Sequence, residues 1–162
     1  MNYFWVNQGK TYNDESNGGY LWAPETYTKK DGTLETPHHW KSMELLEIGD
    51  VILNYNKKEG GIIGYCIAKS SYYEANKPEF EIDDPDEQWD DEGYKVDAEY
   101  VRFNKPIQLS LIYNEIQSFL PKKYSPIANK DRVNQVYSNS ELSKSLVATR
   151  LRLSKCFIIF SL

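Results

Sequence analysis

The stretch TPHHWKSMELLEIGDVILNYNKKEGGIIGYCIAKSSYYE, residues 36–74, decides the fold. Within it VILNY (51–55) and IIGYCIA (62–68) are short apolar runs, and the polar NKKEGG between them closes on Gly60 and Gly61. Two apolar runs joined by a Gly-containing polar turn predict a β-hairpin. Neither run alternates strictly, so both read as central strands covered on both faces. Ahead of them, residues 41–48 put Met43, Leu45, Leu46 and Ile48 on one flank of a short helix, which Gly49-Asp50 ends.

Working outward, residues 3–8 (YFWVNQ) predict an opening strand, and NDESNGG (13–19) a turn-rich loop. Leu21-Trp22 is a short extended piece before Pro24, and residues 29–37 are a polar, mobile loop. After Tyr73 the chain leaves the sheet through Lys77-Pro78. Residues 94–100 (YKVDAEY) alternate with period two, the mark of a half-buried strand, and Pro106 interrupts the next stretch. Residues 109–120 predict a helix with Ile112, Ile116, Phe119 and Leu120 inward, stopped by Pro121. A long loop or irregular strand spans 124–137, and Ser138-Asn139-Ser140-Glu141 is a capping box before a last helix bearing Leu142, Leu146 and Leu153. With no repeat and no linker composition, residues 1–155 read as one domain, and 156–162 as an apolar end, either a last core strand or a boundary remnant.

The 162 residues suffice for one well-buried core, and a mean hydropathy of −0.66 describes a soluble chain. No segment resembles a signal peptide or a membrane span, so the expected location is the cytoplasm. Two cysteines, Cys66 and Cys156, make no disulfide framework; Cys66 reads as a small buried hydrophobe. The net charge is −5, but residues 79–99 hold eleven acids against Lys95 alone, a balance of −10, which leaves +5 elsewhere. The last third is the most basic part, and phosphate binding depends on such local excess.

Signatures of catalysis are missing: there is no GxSxG, P-loop, CxxC pair or HExxH. His38 and His39 are adjacent, so they point different ways and make a poor metal site. The acidic cluster reads as a solvated loop rather than a two-metal nuclease centre. Neither metal, cofactor nor enzymatic activity is expected. Aromatic residues make up 14% of the chain, and most of them suit a β-rich core.

A short helix followed by GDVILNY, a loop and GGIIGYCIAKS resembles the centre of the PUA-like superfamily, in particular its EVE and YTH branches. FWVNQGKTY, GYLWAP and HHW occur in the matching order and look closest to EVE-type modules of Mcr-type modification-dependent restriction systems. The resemblance covers most of residues 1–153. It implies an α+β fold, a mixed β-barrel with flanking helices, that flips a modified base into an aromatic pocket. The implied ligand is DNA carrying methylated or hydroxymethylated cytosine or methyladenine, with a nuclease or NTPase as partner subunit or domain. RNA is the alternative ligand, and a base- or nucleotide-acting enzyme or a peptide-binding groove stands further off.

A reader of this kind needs aromatic walls for the base faces and polar groups for its edge. By likeness to YTH cage positions, Trp22 and Trp89 are wall candidates, and Trp40 stands at the pocket mouth of the EVE arrangement. Tyr55, at a strand end, is a lesser candidate. Asn7, Gln8 and Asn54 are strand-borne edge readers. The segment NKDRVNQ (129–135) resembles the YTH stretch that meets phosphate and base. That likeness gives Lys130 and Arg132 to phosphate, with Lys122 and Lys123 nearby, and Asp131 or Asn134 to the base.

Overall fold

The computed structural model describes residues 1–36, 38–80, 89–120, 125–133 and 140–142. Its elements are β1 (Tyr3–Asn7), α1 (Tyr12–Gly18), β2 (Tyr20–Pro24), β3 (Tyr27–Thr28), β4 (Leu34–Glu35), α2 (His38–Lys41), β5 (Val51–Asn56), β6 (Gly61–Ala68), β7 (Tyr73–Asn76), β8 (Glu92–Gln108), α3 (Leu109–Ile116), β9 (Ile127–Asn129), β10 (Arg132–Val133) and β11 (Ser140–Leu142). One curled, half-barrel sheet runs β11-β1-β5-β6-β8-β2, with β7 also on β8.

The hairpin at the centre forms as expected: β5 and β6 pair antiparallel, from Val51 opposite Ile67 to Asn56 opposite Gly61. Gly60 supplies the turn's positive φ of 74°. Gly61 permits close pairing, since a Cβ there would meet the Ile107 carbonyl oxygen at 2.6 Å. β1 joins β5 in parallel, Tyr3 opposite Val51, and all other pairings of this sheet are antiparallel.

Both faces of this hairpin are covered. Phe4, Val6, Ile52, Cys66, Ala68, Val96, Leu21 and Met43 form one apolar cluster, while Trp5, Leu53, Ile62, Leu109, Ile116 and Ile127 form a second on the opposite face. Period-two alternation along β1 and β5 accounts for the division, with Phe4 and Val6 on one side and Tyr3 and Trp5 on the other. The helix expected over 41–48 is instead α2 followed by a 3-10 turn, Ser42–Leu45. Met43 and Leu46 point inward, three residues apart, while Leu45 and Ile48 are exposed. Gly49, at φ 88°, turns the chain, and buried Asp50 accepts from the amides of Asn2 and Glu47.

Elsewhere tertiary pairing overrides local composition. NDESNGG is helix α1, closed by Gly19 at φ 70°, whose amide bonds to the Glu15 carbonyl. Part of the expected mobile loop is the β3–β4 hairpin. The chain remains in the sheet after Tyr73, as β7. Pro106 does not end β8; between Gly64 opposite Arg102 and Ile62 opposite Ile107 the ladder shifts register, the irregularity at which a sheet tolerates proline. The helix at 109–120 holds as α3 plus a 3-10 turn, Gln117–Phe119, with Ile112, Ile116 and Leu120 packed inward. Residues 140–142 are a strand against β1, Tyr3 opposite Leu142, in place of a capped helix start. Leu146, Leu153, Cys156 and the end 156–162 lie outside the described residues.

Candidate functional site

Two groups of side chains are chemically unusual, and β8 passes through both. At its N-terminal half, β2 lies on one edge with Trp22 opposite Lys95, and β7 lies on the other with Tyr73 opposite Lys95. Trp22 lies across Gly93, where a Cβ would come within 2.6 Å of the indole, and its Nε1 donates to the Ala75 carbonyl of β7 at 3.3 Å. Phe80 and Trp89 pack on it, each ring centroid 6.0 Å away, leaving Trp22 only 7% exposed. Trp89 bridges the backbone of Tyr27, whose ring meets Trp40 edge-on at 5.5 Å. Thus Trp22, Trp89 and Trp40 are connected through their neighbours. Their surroundings are acidic: Asp90 accepts from Thr26, and the backbones of Asp91 and Glu92 hold Lys77 and Glu25. The one cation set over these indoles among the described residues is Lys77, 5.9 Å from the Trp89 ring.

The second group lies on the inner face, where β1 gives way to α1. Gln8 and Asn54 are both buried, and Asn54 Nδ2 donates to Gln8 Oε1 at 2.8 Å. Gln8 Nε2 donates to the Glu15 carboxylate and, at 2.8 Å, to the Tyr100 hydroxyl, which itself donates to the Tyr20 carbonyl at 2.9 Å. Cys66 lies beside Asn54, its sulfur 3.7 Å from Nδ2. The Tyr12 ring meets the Tyr100 ring edge-on at 5.9 Å, and the Arg102 guanidinium stands 5.3 Å above Tyr12 while pairing with Glu59 at 2.7 Å. The short helix α1 brings this about, because Tyr12 and Glu15, three residues apart, share its buried side.

Burial sets the electrostatics here. It raises the Glu15 carboxyl to about 8, against hydrogen bonds from Thr11 and Gln8 that favour the charged form. Burial likewise takes the Cys66 thiol to about 12 and raises the Tyr100 phenol well above its usual value. A thiol so disfavoured as thiolate is a packing group rather than a nucleophile.

The sequence candidates therefore fall in several places. Trp22, Trp40 and Trp89 join the first group, and Gln8 and Asn54 the second. Asn7 and Tyr55 face the other side of the sheet, Asn7 Oδ1 accepting from Trp5 Nε1 at 2.7 Å and Tyr55 stacking on Trp5 at 5.4 Å. Lys130 and Asp131 form an exposed pair, 3.6 Å apart, in the β9–β10 hairpin, whose Ile127 and Val133 pack into the second apolar cluster. Lys122, Lys123, Asn134 and the Arg132 side chain lie outside the described residues. Tyr12, Glu15, Tyr100 and Arg102 carry the second group yet were not sequence candidates. The signals were present: Tyr100 closes the alternating run 94–100, and Tyr12 and Glu15 have helical spacing. Among the described residues no three His, Cys, Asp or Glu side chains could hold a metal, and no helix is long and apolar enough to cross a membrane.

No protein-family model and no curated protein matches the chain. Several solved structures share its fold. A hypothetical protein from Leishmania major superposes with TM-score 0.58 at 14% identity, covering 94% of this chain and 93% of that one. A Pseudomonas syringae protein gives 0.57 at 14% identity, covering 93% and 98%, and one from Pseudomonas putida 0.54 at 13%, covering 93% and 97%. At such identities the likeness is one of fold.

Proposed function

We propose that this chain is a binding module, PUA-like and EVE-type, that takes a modified base flipped out of DNA into the group around Gln8, Asn54, Tyr12 and Tyr100. The single observation that carries this is the meeting of Gln8 and Asn54, both edge-reading candidates, beside two tyrosine rings and beneath Arg102. A base needs those three things: flat apolar contact for its faces, amides for its edge and a cation for the adjoining phosphate. The Trp22 group supplies rings and one cation, Lys77. The acids beside it repel phosphate. Under this proposal the tryptophans build the scaffold, and the tyrosines serve as walls. The module would give specificity to a modification-dependent restriction system, with a nuclease or NTPase partner, inside the cell. It binds and does not convert its ligand.

The test is a panel of fluorescent oligonucleotides, unmodified or carrying 5-methylcytosine, 5-hydroxymethylcytosine or N6-methyladenine, as DNA and as RNA. The expected result is tighter binding of one modified DNA, weakening as salt rises because phosphate contacts release counterions. Preference for the RNA series would change the ligand class, and conversion of the base during incubation would make the protein an enzyme. Uniform, salt-independent binding would end the nucleic-acid reading.

A further inference from the structure

One atom of the inner group is left without a counterpart. Asn54 is fully buried, and its Oδ1 has no hydrogen-bond partner among the described residues. Buried carbonyl oxygens are nearly always paired, with protein, water or ligand, so an unfilled one marks a place where a donor belongs. Its orientation follows from its neighbours. Gln8 directs Nε2 at Glu15 and at the Tyr100 hydroxyl, whose own proton goes to the Tyr20 carbonyl. Gln8 Oε1 therefore faces Asn54 and takes its N–H, which turns Asn54 Oδ1 the other way.

We infer that Asn54 Oδ1 accepts one N–H from the bound base, and that Glu15 is the positioning residue that keeps it an acceptor, acting through Gln8. The inference rests on the binding reading above and names one contact within it. The ligand is an amino-bearing base of adenine or cytosine type, whose amino group retains at least one hydrogen. 5-Methylcytosine, 5-hydroxymethylcytosine and N6-methyladenine all satisfy this. Thymine, uracil and hypoxanthine present an oxygen at that edge, and two acceptors would then face one another without a proton.

Glu15 gives the arrangement a pH dependence. Facing it are Asp14 and Tyr12 on α1, Tyr20 on β2, Cys66 on β6 and Tyr100 on β8, with Arg102 beyond Tyr12. Ionised, the carboxylate can only accept, and it holds Gln8 Nε2 towards itself. Protonated, it can donate to Gln8 Oε1; both amides can then reverse, and Asn54 turns Nδ2 outward. Since burial places this titration near 8, discrimination for amino over oxo bases is greatest above that pH and declines below it.

The experiment compares oligonucleotide pairs that exchange the amino group for an oxygen and protonate the neighbouring ring nitrogen, 5-methylcytosine against thymine and adenine against hypoxanthine, from about pH 6 to about pH 8.5. Wild type, Glu15→Gln and Asn54→Leu are each measured. Wild type should prefer the amino member by about tenfold at the alkaline end, less at the acid end. Glu15→Gln should lose the pH dependence and Asn54→Leu the preference. Equal binding of both members at high pH would overturn the ligand assignment and mean that a fixed water fills the acceptor. If no oligonucleotide binds, the functional reading fails separately. The nitrogen-15 spectrum of free wild-type protein then decides the positioning role. The Gln8 and Asn54 side-chain amide signals should shift with one shared midpoint; signals constant across the range would overturn that role, whether or not the variants fold.

Discussion

Around Trp22 the described residues pair with the indole itself: its N–H bonds to Ala75, one face rests on Gly93, and Phe80 and Trp89 pack on it. Around Tyr100, rings are fewer, amides and a carboxyl are buried with them, and Asn54 Oδ1 remains unfilled. From Lys95, opposite Trp22, to Tyr100 is about 17 Å along β8 at the usual rise of a strand. Within that length one strand supports an aromatic packing and a buried polar group with one acceptor unfilled. The lesson is that abundance of aromatic rings marks stability as readily as binding, whereas unsatisfied buried polarity is costly and points to a partner.

The largest effect should come from Trp22. Removing its indole by Trp22→Ala should destabilise the fold by about 3–5 kcal/mol, while the protein that stays folded binds its ligand as before. Chemical denaturation beside binding separates the two effects; a loss of binding at unchanged stability would move the site to the tryptophans. Gly93→Ala should act the same way but less, by about 1–3 kcal/mol, because its Cβ would meet the Trp22 ring and the Ala23 carbonyl oxygen. Tryptophan fluorescence during unfolding would track that loss. An unchanged midpoint would mean that the Trp22 packing yields without cost.

The sequence made parts of this comparison legible and hid others. The β5–β6 hairpin and its two covered faces were readable because continuous apolar runs and paired glycines act locally. The whole of α1 was not, since NDESNGG has the composition of a turn. What holds it is burial of Tyr12 and Glu15 against a strand over eighty residues away, through Tyr100. The capping-box pattern at 138–141 failed for a related reason, because pairing of residues 140–142 with β1 outweighs a local preference. Trp22 was named as a wall candidate from its glycine and proline neighbours; Gly93, across which it lies, stands seventy-one positions on. Gln8 and Asn54 could be named from the strands that carry them, but the Glu15 carboxyl that Gln8 meets could not.

A smaller effect concerns pH. Glu15 has a raised value in the fold and an ordinary one, 4.5, when unfolded, so the fold holds its proton more tightly. Its contribution is therefore complete below 4.5 and is lost as pH rises towards about 8. Thermal midpoints should fall across that interval for wild type and flatten in Glu15→Gln; parallel curves would show that Glu15 is not buried with its proton. Smallest of all, Arg102→Ala should weaken binding of every sequence alike and lower the salt slope by about one. An unchanged slope would remove Arg102 from the phosphate path.

The most direct test of the comparison is a nitrogen-15 titration of the protein with the best-binding oligonucleotide, watching the indole signals of the four tryptophans and the side-chain amides of Gln8 and Asn54 together. The account predicts that the Gln8 and Asn54 signals move first and saturate with binding, while Trp22 stays within the small shifts of a remote site. Shifts concentrated at Trp22, Trp40 and Trp89, with Gln8 and Asn54 unmoved, would contradict it and make the aromatic group the binding site.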